Sequence, residues 1–143
     1  IQPGAIVIDG TPVDLRKVNT PAYVQGGKED HIAPARSSYK LTRNFSGPIR
    51  FVLAGSGHIA GVVNPPDAKK YQHWTNDTLP ETFEDFVATA TEHPGSWWPD
   101  WIAWLTPQSG KQVPARTPGK GAKGGKLKVI EDAPGRYVRE RVG

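Results

Sequence analysis

The sequence predicts an α/β fold in which a few parallel strands alternate with helices. Two apolar runs of strand length, residues 21–25 and 49–54, are separated by a segment with helical spacing. A strand, a helix and a second strand joined by short connections form a parallel pair. Glycines follow both runs and allow a sharp turn where each strand ends.

Three helices are predicted from apolar spacing and from residues that can begin or end a helix. Pro34 suits a first turn, because proline has no N–H to satisfy there. Ser96 can cap the last helix, whose tryptophans share one face, and this spacing favours packing on the sheet over stacking on nucleobases. A short apolar run, residues 5–8, is closed by the Asp9-Gly10 turn pair. The predicted helices cover residues 34–45, a segment from Thr78 to the His93-Pro94-Gly95 stop, and residues 97–105.

Composition divides the chain into a folded part, residues 1–106, and a tail, residues 107–143. Residues 1–105 carry 9 Lys and Arg against 11 Asp and Glu, whereas residues 106–143 carry 9 against 3. The tail is rich in Gly, Pro and Lys, and it is predicted to be a solvated spacer with a segment at 127–138 that can dock. No aromatic residue lies among the lysines at 120, 123, 126 and 128, so a nucleic-acid partner is not expected.

The composition also excludes several kinds of site and segment. The chain has no cysteine, so it cannot supply a disulfide, a thiolate metal site or a cysteine nucleophile. No apolar run approaches the ~20 residues of a membrane span. The 4 histidines lack metal-ligand spacing, and neither a metal nor a cofactor is predicted. Because the chain begins at Ile1 without Met, we interpret it as a piece of a longer protein.

A carboxylate and an imidazole follow the two predicted parallel strands. Asp30 comes after residues 21–25, and His58 comes after residues 49–54. The loops at the carboxyl ends of adjacent parallel strands converge on one crevice, so the two side chains can meet. Asp30 would then accept the Nδ1–H of His58, and Nε2 would serve as a general base. An ordinary turn aspartate and a solvated histidine are the alternative interpretation.

This order of carboxylate and imidazole is that of the last two triad members in the α/β-hydrolase fold. Ser56, between Gly55 and Gly57, is a poor candidate for the nucleophile. A nucleophile elbow needs Gly-x-Ser-x-Gly, and a serine two residues from its own base could not aim at the ring. The sequence therefore predicts two members of a triad on a partial α/β-hydrolase fold.

Three longer stretches resemble the polyhydroxyalkanoate synthase family. They are residues 29–34 around Asp30, residues 51–66 around His58, and residues 92–101 with their His-Pro-Gly-Ser-Trp-Trp run. The resemblance extends from about Pro3 to Leu105 and resumes at residues 133–138. Stretches of this length are far more specific than a short glycine motif.

The resemblance implies a cysteine acyltransferase on an α/β-hydrolase core, which polymerises (R)-3-hydroxyacyl-CoA and releases CoA. Asp30 and His58 match its catalytic Asp and His, and His31 would face the CoA entry path as a substrate-binding residue or remain a solvated loop imidazole. The nucleophilic cysteine would precede Ile1, so this chain is expected to be inactive alone. Asp30 could either orient His58 or activate the 3-hydroxyl group of the incoming unit.

The resemblance also implies a bacterial cytoplasmic location at polymer granules, with the growing polyester as a ligand and a homodimer or a synthase as protein partner. Two other functions remain open. The chain could be a non-catalytic interaction protein that pairs with a synthase or a granule. It could also be a fragment of an esterase or depolymerase, although that hypothesis does not account for the tryptophan-rich segment.

Overall fold

The computed structural model of the protein describes residues 2–115 and 130–141. The chain divides into two compact units, Ile1–Gln108 and Ser109–Gly143. Both sheets and all the α-helices of the described residues lie in the first unit. These elements are β1 (Val7–Ile8), β2 (Thr11–Pro12), β3 (Ala22–Gly27), α1 (Ala35–Tyr39), β4 (Ile49–Ala54), β5 (Gln72–Thr75), α2 (Phe83–Thr89), β6 (Thr91–Pro94) and α3 (Trp98–Leu105).

A four-stranded mixed sheet with the order β3-β4-β5-β6 forms the centre of the first unit. β3 and β4 are parallel, in a register that runs from Ala22 opposite Ile49 to Gly27 opposite Ala54. The predicted parallel pair and the α/β class are therefore confirmed. β5 and β6 extend the sheet by two antiparallel pairings that the sequence did not predict.

The apolar run at residues 5–8 forms a small hairpin outside this sheet. β1 and β2 pair antiparallel, with Ile8 opposite Thr11. Both turn residues between them have a positive φ, 48° at Asp9 and 73° at Gly10. Aspartate and glycine tolerate that conformation, which suits a two-residue hairpin turn.

The predicted helices are longer than the observed ones. The first consists of α1 and a 3-10 turn at Lys40–Arg43. The second begins at Phe83 instead of Thr78, because the Thr82 side chain caps it by accepting a hydrogen bond from the Asp85 N–H at 3.0 Å. It ends at Thr89, so the prediction that His93-Pro94-Gly95 ends a helix was wrong. His93 and Pro94 instead belong to β6.

The hydrophobic core lies between β4 and the helices α1 and α2. Phe51, Leu53 and Phe86 are at most 1% exposed, and Tyr39 is 3% exposed. The Phe51 ring meets those of Tyr39 and Phe86 edge to face, with centroids 4.9 and 5.1 Å apart. Aromatic pairs favour this geometry over face-to-face stacking. The core thus fixes β4, the strand that leads to His58.

Helix α3 lies against Tyr23 on β3, as predicted for the tryptophan stripe. The Tyr23 ring stacks on Trp97 at 5.9 Å and meets the edge of Trp104 at 5.4 Å. The Asp100 carboxylate also accepts hydrogen bonds from the Tyr23 hydroxyl and from the Arg50 guanidinium. Trp101 is nevertheless 38% exposed, so α3 covers the sheet with only one side. None of the helices among the described residues is long and apolar enough to cross a membrane.

Two histidines form a cross-strand pair on β5 and β6. His73 and His93 stand opposite each other in the ladder, and their rings stack at 5.1 Å. His73 is a buried strand residue, 7% exposed, on a strand that the sequence did not predict. Its Nδ1 lies 3.2 Å from the Gly95 carbonyl oxygen, and the His93 Nε2 lies 2.8 Å from the Thr75 hydroxyl.

The free energy of unfolding is expected to decrease as the pH falls from 7 to 5. Burial lowers the pKa of the His73 imidazole below its ordinary value of 6.5, and His93 adds to this effect while the Gly95 carbonyl opposes it. The unfolded chain therefore takes up a proton at a higher pH than the folded chain. Stability is lost as the pH falls below 6.5 toward the folded pKa, with a slope of at most about 1.4 kcal/mol per pH unit. Urea unfolding at several pH values measures this slope.

A His73→Gln variant should show a shallower slope, whereas His31→Gln serves as the control, because His31 is exposed. The carboxyls with lowered pKa, Asp14, Asp30 and Asp100, titrate below this window. Equal slopes in the unaltered chain and in His73→Gln would contradict the expectation.

In the second unit, the described residues from Ile130 to Arg141 contain a 3-10 turn at Tyr137–Arg139. The Glu131 carboxylate accepts a hydrogen bond from the Arg136 N–H at 3.2 Å. The lysines at 120, 123, 126 and 128 and the start of the predicted docking segment, residues 127–129, lie outside the described residues.

Candidate functional site

The structure brings Asp30 and His58 together at the carboxyl ends of β3 and β4. The Asp30 Oδ2 lies 2.8 Å from the His58 Nδ1, although the residues are 28 positions apart in sequence. The side chains meet because the strands that precede them are parallel and adjacent. We refer to Asp30 and His58 as the dyad.

Backbone hydrogen bonds continue the parallel pairing beyond the ends of the two strands. The Lys28 N–H donates to the Ala54 carbonyl at 2.8 Å, and the Glu29 N–H donates to the Ser56 carbonyl at 3.1 Å. A Cβ at Gly27 would be crowded at this approach, since it would stand 3.1 Å from the Asp30 Cβ and 3.3 Å from the Ser56 carbonyl oxygen. The two loops are therefore fixed to each other before their side chains interact.

The Asp30 carboxylate is held by three hydrogen bonds. Oδ1 accepts from the backbone N–H groups of Ile32 and Ala33, both at 2.8 Å, and Oδ2 accepts from His58. The hydrogen bond from Ala33, together with those from His58 and Ile32, outweighs burial and lowers the pKa of Asp30. Asp30 is therefore an anion near neutral pH. Only 7% of its side chain is exposed, so the anion is fixed in place.

The His58 ring presents its second nitrogen to solvent. Because a carboxylate can only accept, Nδ1 carries the proton and Nε2 has a free lone pair when the ring is neutral. Its side chain is 47% exposed, and no residue in 2–115 or 130–141 forms a hydrogen bond with Nε2. An imidazole oriented by a carboxylate in this way can act as a general base toward a nucleophile brought to Nε2.

Comparison with known proteins identifies relatives over nearly the whole chain. The chain is 48% identical over 139 residues to poly(3-hydroxyalkanoate) polymerase subunit PhaC of Cupriavidus necator. The matched region is 97% of the chain and 23% of that relative. It is 50% identical over 137 residues to the poly(3-hydroxyalkanoate) polymerase of Methylorubrum extorquens, covering 95% of the chain and 22% of the relative. The chain belongs to the poly(3-hydroxyalkanoate) polymerase family.

A more distant member of the family agrees with this assignment. The chain is 37% identical over 142 residues to poly(3-hydroxyalkanoate) polymerase 1 of Ectopseudomonas oleovorans, covering 98% of the chain and 24% of that relative. These relatives confirm the resemblance inferred from the sequence motifs. No protein-family model matches the chain. The chain spans about a quarter of the length of these curated relatives and matches their C-terminal part.

In this member of the polymerase family, the other predicted site residues lie outside the dyad. His31 is exposed, and no hydrogen bond or ion pair joins it to Asp30 or His58 in the described ranges. Ser56 has φ +73°, and its hydroxyl forms no hydrogen bond with His58 in that part of the chain. The geometry gives no support to Ser56 as a nucleophile. No group of three described His, Cys, Asp or Glu residues could hold a metal ion.

Two features beside the dyad were not predicted. A cavity of about 280 Å³ has Asp30 in its lining, together with the cationic Lys28 and Arg36 and the apolar Phe83 and Val87. The indole N–H groups of two tryptophans reach the loop that carries His58. The tryptophan-rich segment was the only sequence signal for these indole hydrogen bonds, but the spacing of tryptophans does not show which backbone carbonyls their N–H groups will bind.

Proposed function

We propose that this chain supplies the histidine and the aspartate of a Cys-His-Asp triad in poly(3-hydroxyalkanoate) synthesis. The hydrogen bond of 2.8 Å between Asp30 and His58 is the observation that carries the proposal. In this proposal, residues 1–106 are the C-terminal portion of a catalytic domain with a partial α/β-hydrolase fold. The parallel pair β3-β4, with functional residues after each strand, supports that assignment.

In the proposed reaction, Asp30 holds the Nδ1–H of His58 so that Nε2 can remove the proton of a cysteine thiol. The thiolate attacks the thioester carbonyl of an (R)-3-hydroxyacyl-CoA, the bond to the CoA sulfur breaks, and CoA leaves with a proton from His58. The 3-hydroxyl group of the next unit then gives its proton to His58 and attacks the enzyme-bound thioester, so the ester bond forms, the bond to the cysteine sulfur breaks, and the cysteine is released to accept the next acyl group. Because this chain has no cysteine, the thiol must come from another polypeptide segment.

The contacts of Asp30 favour an orienting role over activation of the substrate hydroxyl. Oδ1 already accepts from two backbone N–H groups, and Oδ2 faces His58. With 7% of the side chain exposed, little of the carboxylate remains for a substrate. The exposed His31 is the better candidate to contact the bound thioester, and we retain it as a proposed substrate-binding residue.

A chimeric polymerase tests this proposal. In it, the present chain replaces the matching C-terminal part of the Cupriavidus necator polymerase subunit, which supplies the remaining sequence. We expect the chimera to release CoA from (R)-3-hydroxybutyryl-CoA and to form polymer, because the dyad is complete. We expect the purified 143-residue chain to release none, since it has no thiol to accept the acyl group. CoA release is followed with a thiol reagent.

A folded chimera without activity would contradict the proposal, and so would CoA release by the chain alone. Hydrolysis of the substrate without polymer formation would favour the esterase or depolymerase hypothesis. Activity in the chimera would also support the acyl-CoA and the polyester as ligands. A bacterial location at polymer granules is a further part of the proposal.

One observation favours the interaction hypothesis as a second candidate. β3 is an edge strand of the sheet, so within the described residues one side of its backbone has no strand partner, apart from an isolated bridge between Gly27 and Pro34. A polypeptide that adds a strand to this edge would pair with the backbone groups on that side of β3. Gel filtration of the chain alone and mixed with an intact polymerase distinguishes a monomer, a homodimer and a mixed complex.

A further inference from the structure

We propose that Trp97 and Trp98 are positioning residues that hold the loop carrying His58. The Trp97 Nε1–H donates to the Gly61 carbonyl at 2.9 Å, and the Trp98 Nε1–H donates to the Val62 carbonyl at 3.0 Å. The acceptors are adjacent residues, and each lies 36 positions from its donor. We call Trp97 and Trp98 the indole pair and residues 55–63 the His58 loop.

Burial contributes little to the outer part of the His58 loop. Ile59 is 75% exposed and Val63 is 63% exposed, so neither is anchored in the core. The loop is closed instead by its own backbone, with the Gly61 N–H donating to the Gly57 carbonyl at 2.9 Å and the Val63 N–H donating to the Ile59 carbonyl at 2.9 Å. Few buried contacts and many exposed hydrogen bonds are the features of a segment that opens locally. External hydrogen bonds therefore matter more for this loop than for the strand before it.

The external hydrogen bonds hold the loop on two sides. On the side of Asp30, the Glu29 N–H donates to the Ser56 carbonyl. After His58 in the loop, the indole N–H groups of the pair donate to the carbonyls of Gly61 and Val62. A Cβ at Gly61 would stand 2.8 Å from the carbonyl oxygens of both Gly55 and Gly57, so the turn is tight where the first indole binds it. His58 lies between these two attachments.

The indole pair is itself fixed to the strands that lead to the dyad. The Ser96 hydroxyl is buried and accepts from the backbone N–H of Trp98 at 3.1 Å, and the Trp97 ring stacks on Tyr23 of β3. One helical turn later, Asp100 binds Arg50 of β4. Burial raises the pKa of Asp100, but the hydrogen bonds from Arg50 and Tyr23 outweigh it, so the carboxylate is charged at neutral pH. A continuous set of contacts therefore links β4, α3 and the His58 loop.

The proposed effect is on the orientation of the His58 ring. When the loop is held, the Nδ1–H of His58 points at Asp30 and the lone pair of Nε2 points outward. When the loop moves, the ring leaves the carboxylate and reverts to the Nε2–H form that neutral histidine can also adopt. The catalytic consequence rests on the proposed function, whereas the tautomer of His58 can be measured without any activity.

The test uses the full chain with ¹⁵N-labelled histidine at a pH where imidazole is neutral. Trp97→Phe and Trp98→Phe each keep an aromatic ring but remove the N–H donor. We expect the ratio of the Nδ1–H to the Nε2–H form of His58, read from its nitrogen chemical shifts, to fall by up to about fivefold for each hydrogen bond lost. The double variant should show the larger change. Trp101→Phe is the matched control, because its ring contacts Trp97 and no described residue accepts a hydrogen bond from its indole.

An unchanged tautomer ratio in the folded double variant would overturn the proposal, and so would an equal change in the control. If the double variant does not fold, hydrogen exchange of the indole N–H groups in the unaltered chain decides. Slower exchange at Trp97 and Trp98 than at Trp101 supports the proposal, and equal exchange overturns it. A failure of the proposed function is distinguishable, because it would appear as a folded chimera without activity, whereas the tautomer ratio of His58 would still respond to loss of the indole pair.

Discussion

Asp30→Asn in the chimeric polymerase is expected to lower the rate of CoA release by about 10³- to 10⁴-fold, as in triads whose aspartate is replaced by asparagine. The amide can donate through its nitrogen, and this allows the His58 ring to place its proton on Nε2, where it cannot act as a base. His58→Gln removes the base itself and should reduce the rate at least as much as Asp30→Asn does. Because both groups act at the chemical step, kcat should change more than KM.

Asp67→Asn is the matched control for this experiment. Asp67 lies in the 3-10 turn Pro66–Ala68, is exposed, and forms no ion pair within the described residues. The control should retain the rate of the unaltered chimera, and circular dichroism should show that each variant is folded. An Asp30→Asn chimera that keeps more than a tenth of the original rate would contradict the proposed catalytic role of the dyad.

Phe86→Ala is expected to have the largest effect on stability, about 3–5 kcal/mol in the free energy of unfolding. Phe86 is 0% exposed, and its ring contacts those of Phe51 and Tyr39, so truncation leaves a cavity in the centre of the core. Urea unfolding followed by tryptophan fluorescence measures the loss. If the chain is only marginally stable, the variant should already be unfolded without urea.

Val87→Ala on the same helix provides the control. Val87 is 42% exposed, and exposed substitutions usually change stability by less than ~0.5 kcal/mol. A Phe86→Ala variant that is as stable as Val87→Ala would show that the core between β4 and α2 does not hold this unit together.

The parts that could be predicted from sequence are those encoded by local patterns and chain order. The runs at residues 21–25 and 49–54 are apolar and are followed by glycines, so the parallel pair was evident. The meeting of Asp30 and His58 followed from that pair, because adjacent parallel strands end at the same edge of a sheet. The family was evident from the long motifs around these two residues.

The strands β5 and β6 were missed because their stability comes from tertiary contacts. Each has four residues, and β5 contains His73 and Thr75, which do not mark a buried strand by periodicity. The start of α2 had a local signal, a threonine followed three residues later by an aspartate, Thr82 and Asp85. The ion pair between Arg50 and Asp100 joins residues 50 positions apart, and no local pattern specifies such a partner.

The order of the strands places the two residues of the dyad after strands that differ in their resistance to local unfolding. β4 has a neighbour on both sides, and its last four residues are buried, so its amides should open only with the whole unit. β3 is an edge strand, and separating it from the sheet breaks hydrogen bonds to only one neighbouring strand. The imidazole thus follows the strand with the most complete pairing, and the carboxylate follows a strand that a neighbouring polypeptide could stabilise or displace. Because the Asp30 Oδ2 lies 2.8 Å from the His58 Nδ1, displacing β3 would also change the orientation of the imidazole.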